Sequence, residues 1–123
     1  MFRTFFFSII LILPFILMPS LLKSAELIMF ESESCEWCEV WHKQIGSVYA
    51  KTEEGKFAPL KRVQIEDNMP NELIKLRPAS FTPTFVIIDN GKEVSRILGY
   101  PGEDFFWSML IDVLKQIGFK PKS

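Results

Sequence analysis

The two cysteines of the chain stand three residues apart, in Cys35-Glu36-Trp37-Cys38, at a junction between two kinds of periodicity. Just before them, Leu27-Ile28-Met29-Phe30 is an unbroken apolar run of strand length. Just after them, Cys38, Trp41, Ile45, Val48 and Tyr49 recur at the spacing of a single helix face. The cysteine pair therefore has to sit where a strand turns into a helix. At a helix N-terminus the unpaired N–H groups and the helix dipole favour an anion, which lowers the pKa of a thiol in the position of Cys35. Cys38, one turn further in, falls on the buried stripe and can close a disulfide with it. A purely structural staple is a poor alternative, because so short a loop constrains little of the unfolded chain.

The 123 residues suit one domain, and 48% apolar with 24% charged residues is a globular balance. Formal net charge is −1 without a basic cluster, so nucleic acid is not an expected partner. The N-terminus differs from the rest. Arg3 precedes an uncharged, mostly apolar stretch from Phe5 to Leu22, followed by Lys23-Ser24-Ala25. This pattern predicts a signal peptide over residues 1–25, cut after Ala25, and a domain over 26–123. The alternative is an uncleaved N-terminal membrane anchor, since residues 5–22 approach the length of a bilayer span. Either reading places the domain in an exported compartment. Removing residues 1–25 takes Arg3 and Lys23 from the 14 basic residues and none of the 15 acids, so the charge moves from −1 to −3.

Along the domain, a first strand is expected at about Glu26–Glu31 and a helix from about Cys35 to Thr52, stopping near Gly55. A second strand follows at Leu60–Glu66 with Val63 and Ile65 inward. A short helix at Asn71–Leu76 is stopped by Pro78. The apolar run Phe85–Ile88 is a third strand. Asp89-Asn90-Gly91-Lys92 is a hairpin signal, so Glu93–Leu98 returns antiparallel to it. The acids Glu103 and Asp104 open a last helix that buries Phe106, Leu110, Val113, Leu114 and Ile117 and ends at Gly118. The order β-α-β-(α)-β-β-α predicts an α/β fold: a four-stranded mixed sheet with helices on both faces, the first two strands parallel through a right-handed crossover.

Three separated places, Cys35-Glu36-Trp37-Cys38, Thr82-Pro83 and Gly99, resemble the thioredoxin-like superfamily, which covers nearly all of residues 26–118. Longer matches are similar to the small periplasmic thioredoxin-like proteins associated with bacterial sulfur-oxidation systems. These are Cys35-Glu-Trp-Cys-Glu-Val-Trp-His42, Phe81-Thr-Pro-Thr-Phe-Val86 and Gly99-Tyr-Pro-Gly-Glu-Asp-Phe-Phe-Trp107. The resemblance implies a thiol–disulfide oxidoreductase that needs no cofactor beyond its own disulfide. Cys35 would be the attacking thiolate and Cys38 the resolving thiol. Pro83 would be cis, with Thr82, Pro83, Trp37 and Tyr100 meeting the substrate. It also suggests a sulfur-carrier protein of the sulfur-oxidation pathway among exported substrates bearing a disulfide or oxidised cysteine; the export signal makes a periplasmic monomer the expectation, and a reductant there has to draw electrons from a membrane thiol transporter. Thioredoxins proper carry a buried acid six residues before the first cysteine; here Met29 stands there, and Glu31 or water is expected to take over proton transfer.

Four acids, Glu31, Glu33, Glu36 and Glu39, surround the pair, and His42 is the only histidine. Glu31, Glu36, Glu39 and His42 are therefore the candidates that tune the thiol pKa. A carboxylate about 7 Å from a thiolate opposes it by roughly 0.6–1 kcal/mol, enough to offset a helix-end contribution of about 0.3–1 kcal/mol. A mildly stabilised thiolate favours the disulfide, which predicts a reductant with a potential nearer ~−270 mV than ~−120 mV. The alternative is a metal-binding (copper or zinc) or chaperone-like module using Cys35, Cys38 and His42. Haem attachment is excluded, because Glu39 stands where C-x-x-C-H needs histidine.

Overall fold

The computed structural model describes Pro14 and residues 24–122. The signal peptide or anchor expected over residues 1–25 lies almost wholly outside them.

Strand β1, Ala25–Glu31, is buried along nearly its whole length. That is why it reads as a continuous apolar run rather than an alternation. It lies inside a sheet ordered β2-β1-β3-β4. On one side β2, Leu60–Gln64, runs parallel to it, with Met29 opposite Arg62 and Glu31 opposite Gln64. On the other side β3, Thr84–Asp89, runs antiparallel, and β4, Lys92–Leu98, completes the hairpin. The hairpin turn needs positive φ at two successive residues. Asn90 at 52° and Gly91 at 80° supply it, as the Asn-Gly signal requires.

The α-helices gather on one face. Helix α1, Glu36–Trp41, passes without interruption into a π-helical turn, His42–Gly46, and a last α-helical turn, α2, Ser47–Tyr49. A separate short helix, α3, spans Glu53–Phe57, and α4 spans Glu103–Gln116. Leu27, Met29, Phe85 and Ile87 from the sheet pack there with Cys38, Trp41, Ile45, Tyr49, Phe106, Leu110 and Leu114. Each such large side chain contributes about 1.5–3 kcal/mol on burial. The Trp41 ring stands against Tyr49, Phe85 and Phe106, with centroids 5.2–6.2 Å away. Among the described residues, the opposite face, Ile28, Phe30, Val63, Val86 and Ile88, receives Leu73 of a 3₁₀ turn, Asn71–Leu73, with Met69, Leu76 and Ala79 beside it.

Several expected boundaries shift. The first helix ends at Tyr49 rather than Thr52, because Thr52 caps the next helix, accepting a hydrogen bond from Gly55 N–H at 3.0 Å. Gly55 therefore lies inside α3. The π turn adds a residue to the helix repeat, so Tyr49 is buried while Val48, expected on the same stripe, is 44% exposed. Ile65, expected inward, is 43% exposed because β2 stops at Gln64. The helix expected at Asn71–Leu76 shortens to the 3₁₀ turn. Val113 and Ile117 are only partly buried against the core.

Candidate functional site

Cys35 and Cys38 are joined by a disulfide at the carboxyl end of β1, with Cα atoms 5.2 Å apart. Cys35 occupies the N-cap of α1 in an extended conformation, and its Sγ accepts the Cys38 N–H at 3.1 Å. One of the N-terminal N–H groups of the helix, that of Cys38, is thus directed at this sulfur already. Cys35 is partly exposed, whereas Cys38 is 2% exposed and belongs to the core with Met29 and Trp41. Trp37, between them, is 61% exposed.

A second chain segment lies beside the turn that leads to Cys35. The Thr82–Pro83 peptide bond is cis, and Pro83 is buried at the start of β3. The Thr82 hydroxyl lies 3.0 Å from the Ser32 hydroxyl in the turn leading to Cys35. Gly99 N–H donates to Pro83 O at 2.8 Å, which ties the turn after β4 to the proline. Tyr100 follows in that turn and donates its hydroxyl proton to Gln44 Oε1 on the π turn. Burial, then the nearby Glu103 and Asp104 carboxylates, hold this phenol above its usual value.

The acids divide into two kinds. Glu33, Glu36 and Glu39 are exposed, the last two in the first turn of α1. Glu31 is 4% exposed and faces the helix side of the sheet. It accepts from Arg62 Nε at 2.8 Å and Arg62 Nη2 at 2.7 Å, a two-point ion pair, and from Gln64 Nε2 at 3.3 Å. His42 Nε2 lies 3.3 Å from both of its oxygens. Burial pushes the Glu31 carboxyl up, but the hydrogen bonds and charge of Arg62, with those of His42, outweigh it and hold the group below its ordinary value. Glu31 is thus a compensated carboxylate and does not add to the negative field of the other three. Arg62 was missed by sequence reasoning. Its only signal is its place on β2, opposite the β1 residue two before Glu31.

Of the alternative metal ligands, Cys35 and Cys38 are bonded to each other and His42 meets Glu31. Among the described residues no three His, Cys, Asp or Glu side chains converge to hold a metal ion, and His42 is turned to Glu31. The disulfide itself is the redox group.

The chain matches the thioredoxin-like domain family over residues 23–114. Among curated proteins no sequence matches it. Among solved structures it is similar to the periplasmic thioredoxin SoxS from Paracoccus pantotrophus in its reduced form, at 43% identity and a TM-score of 0.70, covering 76% of this chain and 98% of that one. A thioredoxin from Thermus thermophilus shares the fold at 24% identity and a TM-score of 0.61, covering 77% of each chain. A thioredoxin from Malassezia sympodialis does so at 19% identity and 0.56, covering 73% of this chain and 75% of that one. The chain therefore belongs to the thioredoxin-like domain family and is a thiol–disulfide oxidoreductase that works through Cys35 and Cys38.

Proposed function

We propose that this oxidoreductase is an exported reductant of disulfides or oxidised cysteines on other exported proteins. The observation that carries this reading is the partly exposed Cys35 at the N-cap of α1, with the exposed acids Glu36 and Glu39 in the first turn of that helix and Glu33 two residues before Cys35. In the reduced protein the Cys35 thiolate attacks a sulfur of the substrate disulfide and the substrate's other sulfur leaves as a thiolate. Cys38 then loses its proton and attacks Cys35 Sγ, which closes the disulfide and releases the second substrate thiol. The helix N-terminus favours the first thiolate, while the acids keep that gain small and so leave the closed disulfide relatively favoured. By the resemblance, Trp37, Thr82, Pro83 and Tyr100 would receive an extended substrate segment.

The N-terminal pattern Arg3, Phe5–Leu22, Lys23-Ser24-Ala25 supports export, as does the similarity to a periplasmic thioredoxin. Among the described residues no helix is long and apolar enough to cross a membrane. A periplasmic reductant needs electrons from a membrane thiol transporter, and a sulfur-oxidation carrier protein is the substrate that the sequence resemblance favours. Replacing Cys38→Ser removes the resolving thiol. Expressed in the periplasm, this variant should accumulate mixed disulfides through Cys35 that a reducing agent releases, and mass spectrometry names the partners. Absence of any Cys35-linked species, with the variant folded, would overturn the reading.

A further inference from the structure

The second face of the sheet is covered unevenly. Met69, Leu73, Leu76 and Ala79 pack on Ile28, Phe30, Val63, Val86 and Ile88, but the β4 end of that face stays open. Leu98, opposite Thr84 and so on the same face as Phe30, is 62% exposed, and Phe81 is 48% exposed. With Thr84, Arg77 and Arg96 they line a groove of about 240 Å³. Both apolar walls adjoin the redox site along the chain. Phe81 precedes the cis Thr82–Pro83 bond, and the Thr82 hydroxyl meets Ser32 on the turn to Cys35. Leu98 precedes Gly99, whose N–H donates to Pro83 O. The rim is cationic in a domain of net negative charge. Arg96, its side chain 7% exposed, is already engaged: Nε donates to the Glu93 carboxylate and Nη2 to the Arg77 carbonyl. Arg77 itself is exposed and pairs with no acid among the described residues.

We propose that this groove selects substrates by the residues beside their cysteine: an extended segment lays an apolar side chain between Phe81 and Leu98 and an acidic one against Arg77. The inference rests on the proposed reduction of protein disulfides. Alternate residues of an extended segment project to one side, about 7 Å apart, so the pattern that fits is apolar-x-acidic. The charges give the sign. Arg96 and Glu93 cancel, which leaves Arg77 as the net charge of the groove. The exposed acids Glu33, Glu36 and Glu39 belong instead to the cysteine turn and α1, so the two walls of the site carry opposite charge. A segment with its acid on the groove side is drawn in, and one with a base there is turned away.

The test uses the reduced protein, as exported, and symmetric peptide disulfides. The peptides carry Leu-x-Glu, Leu-x-Gln or Leu-x-Lys, placed before or after a single cysteine. Each turnover closes the Cys35–Cys38 disulfide and releases two peptide thiols, which are alkylated and counted. A unit charge about 6 Å from Arg77 is worth about threefold in a water-like medium. In the better of the two placements the Glu peptide should therefore react about threefold faster than Gln and about tenfold faster than Lys, with smaller gaps at high salt. Arg77→Glu should reverse that order. Lys120→Glu, the same charge change beside the Phe119–Phe57 contact at the other end of the domain, should keep it. Leu98→Ser should slow the leucine peptides by about three- to tenfold, the worth of half-burying a leucine. Equal rates for the three peptides, or an order that Arg77→Glu leaves in place, would overturn the inference and leave the reductant reading standing. An order that Lys120→Glu reverses as well would overturn it too, as the effect of the overall field. A reduced protein that turns over none of the peptide disulfides would sink the reductant reading and the inference with it.

Discussion

Removing the Arg62 charge while keeping its stem, Arg62→Met, isolates the ion pair under the active-site helix. Glu31 is almost fully enclosed, and two charge-assisted hydrogen bonds of 2.7 and 2.8 Å join it to the guanidinium. Breaking a fully buried pair costs about 3–5 kcal/mol, because one charge is left without its partner. Here the Arg62 side chain is 55% exposed, so water screens the pair and replaces part of the contact. His42 and Gln64 also remain on the carboxylate. A cost of about 1.5–2.5 kcal/mol at pH 7 follows, or roughly 6–20 °C in Tm for a domain of this size. The pH dependence carries the proof. Glu31 is held below its ordinary value of 4.5, so its stabilisation is complete above that pH and is lost as pH falls through the lower folded value. Urea unfolding of the oxidised protein should therefore show the full gap at pH 7 and a shrinking one as the pH is taken well below 4.5. A gap that stays equal over that range would mean that Arg62 acts through packing, and a gap under about 0.5 kcal/mol would remove the ion pair from the account.

Three further changes probe the scaffold that aims the site. Tyr49→Phe deletes a buried 2.6 Å hydrogen bond to Ala58 O and should cost about 1–3 kcal/mol by denaturant unfolding, since the carbonyl loses its partner. Gly55→Ala would place a Cβ 1.8 Å from Tyr49 O, a backbone atom, so α3 has to move and unfolding should show a loss of about 3 kcal/mol. Gly46→Ala should gain up to about 1 kcal/mol of helix propensity yet push the imidazole off Glu31. Its signature is a shifted His42 ring resonance in NMR with little change in overall stability.

The strands were legible because burial on both faces leaves apolar runs at Leu27–Phe30 and Phe85–Ile88 that little else explains. The hairpin was legible because Asn90 and Gly91 meet a backbone requirement directly. The cysteine pair and its strand-to-helix setting were legible for the same local reasons. The π turn was not, because a single inserted residue barely disturbs a period of 3.6 read over three turns, and only the outcome at Val48 and Tyr49 betrays it. Thr52 could continue one helix or cap the next, and its hydrogen bond to Gly55 decides for the cap. The Glu31–Arg62 pair joins residues 31 apart, and neither parity nor charge specifies such a contact until the register of β1 on β2 is known. Four glutamates near a dithiol all counted as negative charge in the sequence, but Glu31 proves to be neutralised by Arg62.

The midpoint potential of the Cys35–Cys38 couple at pH 7, taken by equilibration with a dithiol buffer, bears most directly on the claim that this protein reduces its partners. The account predicts a value near −270 mV, in the range of reducing members of the fold. A value above about −180 mV would mean that the exposed carboxylates do not govern the site and that the protein oxidises or isomerises disulfides instead.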